Sequence, residues 1–192
     1  ANDSATNLAL GGALFVLPYL LFSGYAGHIA DRFDKRKVLI VTKALEIIAM
    51  TLALFALLAG RMDMMLAAIF LMNVQGAIFG PSKYGLLPEI LPEKRLSWGN
   101  GVLELGTFVG ILTGIGLGGA LHEKFAARAH IPGLMMLGFG VAGFLASLGI
   151  TRVRAAAPQV RFRANFVGEL FREIRFIRTD RMLWMAVLGN TF

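Results

Sequence analysis

The stretch Gly27-His28-Ile29-Ala30-Asp31-Arg32-Phe33-Asp34-Lys35-Arg36-Lys37-Val38-Leu39 decides how this chain is read. It is a dense charge cluster between two apolar runs, Leu8 to Ala30 and Val38 to Ala59. Each run is long enough to cross a bilayer, because about 20 apolar residues span the hydrocarbon core. Asp31 to Lys37 therefore read as a very short charged loop at a membrane surface. Gly27 offers a small surface on which a second helix can approach closely at that turn. Asp31 closes the first span, and Lys35, Arg36 and Lys37 open the next.

Composition agrees with a membrane protein. Of 192 residues, 56% are hydrophobic and 16% charged, where soluble domains carry about 25% charged residues. Mean hydropathy is +0.66. The net charge of +7 does not indicate nucleic acid, since the basic residues sit at the ends of apolar spans rather than over a soluble face. Ala1 to Asn7 carries one acid, Asp3, and no basic residue, so it does not read as a signal peptide. A chain opening on alanine reads as a fragment. The absence of cysteine excludes disulfide and thiol chemistry within it.

Complete spans are expected at 8–30, 38–59, 64–82, 99–121 and 133–151, with a further span starting near Met182. Loop charge sets their orientation. Loop 31–37 holds four Lys/Arg, 60–63 one, 83–98 three, 122–132 two and 152–181 eight. The alternation assigns 31–37, 83–98 and 152–181 to the cytoplasm and 1–7 to the outside. Segment 152–181 contains a pattern for an amphipathic helix lying in the interface plane: Phe162, Phe166, Leu170, Ile174 and Ile177 recur at helical spacing, with Arg163, Glu169, Arg172, Glu173 and Arg175 mostly opposite. Pro18 is expected to kink the first span.

Several residues within the spans invite a role. Lys43 and Glu46 lie roughly 8–14 Å inside the second span at 1.5 Å per residue. Their spacing puts them on one face, able to pair. They read either as a self-neutralising structural pair or as part of the cytoplasmic half of a pathway. Glu104 is a lone acid in a glycine-rich span, with Asn100 on the same face and Lys83 at the end of the preceding span. An intramembrane carboxylate is a functional candidate by default. It reads either as a substrate or ion contact or as half of a Glu104–Lys83 clamp. Gly106, Gly110, Gly114 and Gly118, spaced by four and flanked by Gly101 and Gly119, form a smooth ridge suited to helix packing. Asn73 and Gln75 read as interhelical hydrogen bonders. His28, His122 and His130 sit at span ends or loops, and their spacing offers no metal site; no cofactor is expected.

The segment GHIADRFDKRKVL resembles motif A of the major facilitator superfamily, roughly Gly-x-Leu-Ala-Asp-Arg-x-Gly-Arg-Lys-x-x-Leu. Asp34 replaces its second glycine and Ile29 its leucine. The resemblance implies an all-α membrane protein: the N-terminal bundle of a twelve-helix transporter, lacking its first helix. Residues 1–151 would be the second to sixth helices, 152–181 the cytoplasmic linker, and 182–192 the start of the seventh. It also implies that Gly27, Asp31, Arg32 and Arg36 gate the transporter by stabilising its outward-facing state. The alternative is that these charges only fix topology.

Within that superfamily, FGPSKYGLLPEILPEKRLSWGNGVLELGTF at 79–108 resembles the bacterial lysophospholipid transporters, through Pro81, Lys83, Tyr84, Gly85, Leu87, Asn100, Gly101, Glu104 and Thr107. The Lys43…Glu46 pair is similar to that family's third helix. This resemblance implies a lysophospholipid substrate moved inward for re-acylation, membrane lipids as surroundings, and an acyltransferase and acyl-carrier-protein ligase as possible partners or fused domains. It implies a transporter rather than an enzyme. Lys83 would suit a phosphate and Glu104 an ammonium. The glycine ridge also resembles motif C of proton-coupled antiporters, with Ile115 where that motif has proline. Gln75-Gly76 resembles the end of motif B, with Met72 at its arginine position. A small-molecule or drug exporter is therefore the competing expectation.

Overall fold

The computed structural model describes residues 2–125, 128 and 130–153, with 159, 175, 178, 179, 182, 184 and 185 further on. Among the described residues up to 153, five α-helices follow one another: α1 (Asn2–Arg32), α2 (Lys35–Ala59), α3 (Met62–Ile90), α4 (Leu96–Phe125) and α5 (His130–Leu148). All five are long and apolar enough to cross a membrane. A single 3-10 turn, Glu93–Arg95, precedes α4.

Local chemistry explains the boundaries. Asp34 stands between α1 and α2 and caps the second helix, its Oδ1 accepting from the Arg36 backbone N–H at 2.9 Å. A side-chain oxygen at this position satisfies a helix-start N–H that has no partner inside the helix. Its φ of −56° is open to any residue, so the glycine of the general motif is not needed here. At the other end of α2, Gly60 adopts φ 62°, and the N–H groups of Gly60 and Arg61 both return to the Ala56 carbonyl. This left-handed cap reverses the chain within two residues.

The third helix is longer than its apolar run predicts. It was expected to end at 82 but continues through Pro81 and Pro88 to Ile90. Leu91, at φ −119° and ψ 141°, and Pro92 stop it. Proline removes one backbone donor, yet membrane helices tolerate it because neighbours and local adjustment satisfy the freed carbonyl. In consequence Lys83 and Tyr84 lie on a helix rather than in the expected 83–98 loop. α1 likewise begins before residue 8 and α4 before 99.

α3 packs between α1 and α2, and α2 also packs on α5; α4 touches α3 and α5 only lightly. The buried apolar positions are mostly small: Ala26, Ala30, Ala49, Ala56, Ala68 and Ala77, with Val38, Leu39, Leu54, Leu86 and Leu87 between them. Small residues let helix backbones come close where lipid supplies no hydrophobic drive for association. Gly140 of α5 is one such contact, since a Cβ there would meet Met50 Sδ at 2.6 Å.

Residues 160–192 form a second compact unit. Its described residues are helical, with Thr179 Oγ1 donating to the Arg175 carbonyl at 2.8 Å and the Arg178 guanidinium 5.7 Å from the Trp184 ring. The amphipathic pattern expected over 152–181, and most of the span expected from 182, lie outside the described residues.

Overpacking the α2–α5 contact should be costly. Gly140→Val is expected to destabilise the full-length protein by about 1–3 kcal/mol, read as a lowered thermal midpoint in detergent. An unchanged midpoint would show that α5 does not need this close approach.

Candidate functional site

Three polar clusters punctuate the apolar bundle, and α3 contributes to each. The first lies at the basic end. Lys35, 3% exposed at the start of α2, forms an ion pair with Glu89 in the last turn of α3. Gly85 makes room for it: a Cβ at Gly85 would meet Lys35 Cε at 2.8 Å. The neighbouring Arg36 donates from Nη2 to the carbonyl of Leu148, the last residue of α5, at 2.8 Å. Carbonyls at a helix end lack intrahelical partners. The preceding two, of Ala146 and Ser147, accept from Gly149 and Ile150, and a cation is favourable at this pole of the helix dipole. The start of α2 is thus tied to the ends of both α3 and α5. Arg36 Nε and Glu89 Oε2 are buried there without a described partner.

The other residues of the motif A stretch behave differently. Asp31 and Arg32 are exposed at the end of α1, and Arg32 stacks on Phe33 at 5.7 Å. Asp31 makes no ion pair with a described residue. Gly27, expected to admit a neighbouring helix, has open space where a Cβ would stand.

The second cluster lies deeper. Lys43 Nζ donates to Glu46 Oε2 at 2.6 Å, as their spacing predicts. Gln75 of α3 donates to the same oxygen at 3.2 Å. Lys43 also sits 4.9 Å from the Phe79 ring and against Gly143 of α5. The pair is satisfied inside the α2–α3–α5 trio. Of the two expected interhelical hydrogen bonders, Gln75 crosses between helices. Asn73 does not: it donates back to the Ile69 carbonyl of its own helix at 2.8 Å.

The third cluster joins α3 to α4. The expected Glu104–Lys83 clamp does not form. Lys83 Nζ donates instead to Thr107 Oγ1 at 2.7 Å, and Tyr84 donates its hydroxyl to Glu104 Oε1 at 2.5 Å. Two successive residues on α3 meet two residues on one face of α4. Asn100, one turn before Glu104, is exposed and makes no hydrogen bond with a described residue. Among the glycines expected to pack, Gly101, Gly106, Gly110, Gly114, Gly118 and Gly119 all face open space within the described residues. Gly114 and Gly118 border an apolar groove of about 480 Å³ with Leu117, Leu121, Met135 and Phe139.

Sequence reasoning gave no role to Glu89 or the Leu148 carbonyl, placed Lys35 only at the opening of a span, and named Tyr84 and Thr107 only among the residues that carry the family resemblance. Lys35 and Glu89 lie 54 residues apart, so no local pattern joins them. The only sequence signal was an acid near the end of one apolar run and a base at the start of another.

Removing one member of the Lys35–Glu89 pair should hurt more than removing both. Glu89→Gln leaves a buried ammonium without its counter-charge and should cost about 3 kcal/mol or more, whereas Lys35→Met combined with Glu89→Leu should come out near neutral. Unfolding midpoints of the full-length variants measure this. Equal losses in both would mean that the pair is not sheltered from water.

The chain matches the sequence profile described as Major Facilitator Superfamily over residues 2–192. Among curated relatives, the lysophospholipid transporter LplT of Photorhabdus laumondii is 34% identical over 128 residues, covering 67% of this chain and 31% of that protein. The LplT of Cronobacter sakazakii is 31% identical over 172 residues, covering 89% and 40%. That of Yersinia pestis (strain Pestoides F) is 29% identical over 178 residues, covering 92% and 42%. The chain thus spans well under half the length of these relatives. No solved structure matches it. Five membrane-length helices among the described residues, and a match to one profile over residues 2–192, place this multi-pass membrane chain in the major facilitator superfamily.

Proposed function

We propose that the protein containing this chain carries lysophospholipids from the outer to the inner leaflet of a bacterial cytoplasmic membrane, where they are re-acylated. The observation that carries this reading is the pair of opposite charges, Lys83 and Glu104, set on facing turns of α3 and α4 within membrane-length helices. Charge in a membrane span is costly and marks substrate or ion pathways. A lysophospholipid offers a phosphate to Lys83 and, in its ethanolamine form, an ammonium to Glu104. The relatives described above are lysophospholipid transporters, which supports the same substrate.

Transport would proceed by alternating access, with this chain supplying helices two to six of the first bundle. Asp31, Arg32 and Arg36 would act at the gate. The contacts of Lys35 and Arg36 with the ends of α3 and α5 support a conformational role for this loop. Lys43 and Glu46 would line or brace the cytoplasmic half of the pathway. An acyltransferase or acyl-carrier-protein ligase, separate or fused, would use the delivered lipid. The exposed glycine stripe of α4 favours a second reading, a small-molecule exporter.

The test uses full-length protein in right-side-out vesicles given labelled lysophosphatidylethanolamine. Wild type should accumulate label inside. Glu104→Gln should lower uptake about tenfold or more, the loss expected from a charge-assisted hydrogen bond of ~1.5–3 kcal/mol. Asp31→Asn should slow turnover while largely sparing binding, because it shifts a conformational equilibrium rather than a contact. Absence of uptake by correctly inserted wild type would favour the exporter.

A further inference from the structure

Tyr19 brings a hydroxyl into the membrane-length part of α1. That hydroxyl makes no hydrogen bond with a described residue, and Tyr19 is 42% exposed. A tyrosine oxygen in hydrocarbon forfeits the hydrogen bond that water would give it, so it normally finds a partner.

Its place in the bundle is well defined. Pro18, directly before it, is fully buried and holds this turn of α1 against its neighbours. Phe15 lies beside the ring, with centroids 6.3 Å apart. The hydroxyl itself rests on the backbone of α3 at Gly76. A Cβ at Gly76 would lie 2.6 Å from the Tyr19 oxygen but 3.6 Å from its Cζ. A methyl group there would therefore displace the hydroxyl and spare the ring.

The contact with Gly76 aligns Tyr19 with Lys83. Gly76 and Lys83 are seven residues apart on α3, about 10 Å along the axis and about 20° around it, so they share a face. Gly80 lies between them, with open space where a Cβ would stand. Lys83 gives Thr107 one of its three N–H donors. Its four-carbon stem can swing back along the face, so a hydroxyl and a cation can meet one small polar headgroup over bare backbone.

We propose that Tyr19 is a substrate-contacting residue, whose hydroxyl recognises the free glycerol hydroxyl of a lysophospholipid while Lys83 holds the phosphate. This rests on the lysophospholipid reading above and adds to it a residue and the chemical feature that the residue reads. The free hydroxyl is what a lysophospholipid has and a diacyl phospholipid lacks. It both donates and accepts, so it pairs with a tyrosine hydroxyl in either sense. An ester in its place only accepts, and carries a second chain.

Full-length protein in right-side-out vesicles tests this with two labelled probes: lysophosphatidylethanolamine, and its deoxy analogue, in which hydrogen replaces the free glycerol hydroxyl. Wild type should take up the hydroxyl lipid about fivefold faster, the margin expected from one neutral hydrogen bond. Tyr19→Phe should bring the ratio of the two rates close to one, by slowing the hydroxyl lipid. Gly76→Ala keeps the hydroxyl but moves it, and should lower the ratio in the same way. Combining the two substitutions should lower it no further, because both remove one contact. A general lesion of the fold would slow both probes and leave the ratio as it was. Should Tyr19→Phe insert poorly, Gly76→Ala carries the test by itself. Equal uptake of the two probes by wild type, or a preference that survives Tyr19→Phe and Gly76→Ala, overturns this inference alone. Failure of correctly inserted wild type to move either probe overturns the transport reading and this inference with it.

Discussion

A charge placed in hydrocarbon has to be answered from inside the protein, because the solvent there has nothing to offer it. This requirement organises the chain more than apolar packing does. α3 is the helix that answers. Glu89 meets Lys35 where α2 begins, Gln75 meets Glu46 midway, and Lys83 and Tyr84 reach across to α4. Its two flanking helices, α1 and α2, pack on either side of it. Apolar packing alone would leave the rotation of α3 loosely set, since its apolar residues are spread around its whole circumference. The polar contacts, each with one acceptable partner, fix that rotation.

The number and approximate place of the helices were legible in the sequence because bilayer thickness sets a length that composition must respect. The charged turn was legible for the same reason, but it is narrower than the expected 31–37: α1 runs to Arg32, α2 begins at Lys35, and Lys35 is buried. The Lys43–Glu46 pair was legible because both members lie on one helix, at a spacing that geometry already fixes.

Contacts between helices were not legible. Lys83 was matched with Glu104 on charge alone, and the hydroxyls of Thr107 and Tyr84, named only for the family resemblance, intervened. Lys35 and Glu89 come together only once α3 is known to run past two prolines, which hydropathy reads as a loop. Glycine was misleading in the other direction. The conspicuous four-residue repeat on α4 faces open space, while glycines outside it, Gly85 and Gly140 among them, are where neighbouring atoms press. Periodicity reports which residues share a face, and says nothing about what that face meets.

The two ion pairs of α2 differ in a way that matters while the chain is being made. Lys43 and Glu46 neutralise each other within a single helical turn, so that part of α2 can leave the translocation machinery with its charges already matched. Lys35 has to wait for Glu89, which follows 54 residues later. At about 5–20 residues per second, that partner is synthesised roughly 3–11 s afterwards. For that interval the start of α2 carries an unanswered ammonium. A side chain that can snorkel to the interface holds such a charge at the membrane surface, so the hairpin of α2 and α3 has a natural order of assembly: the deep end settles first, and the basic end closes last.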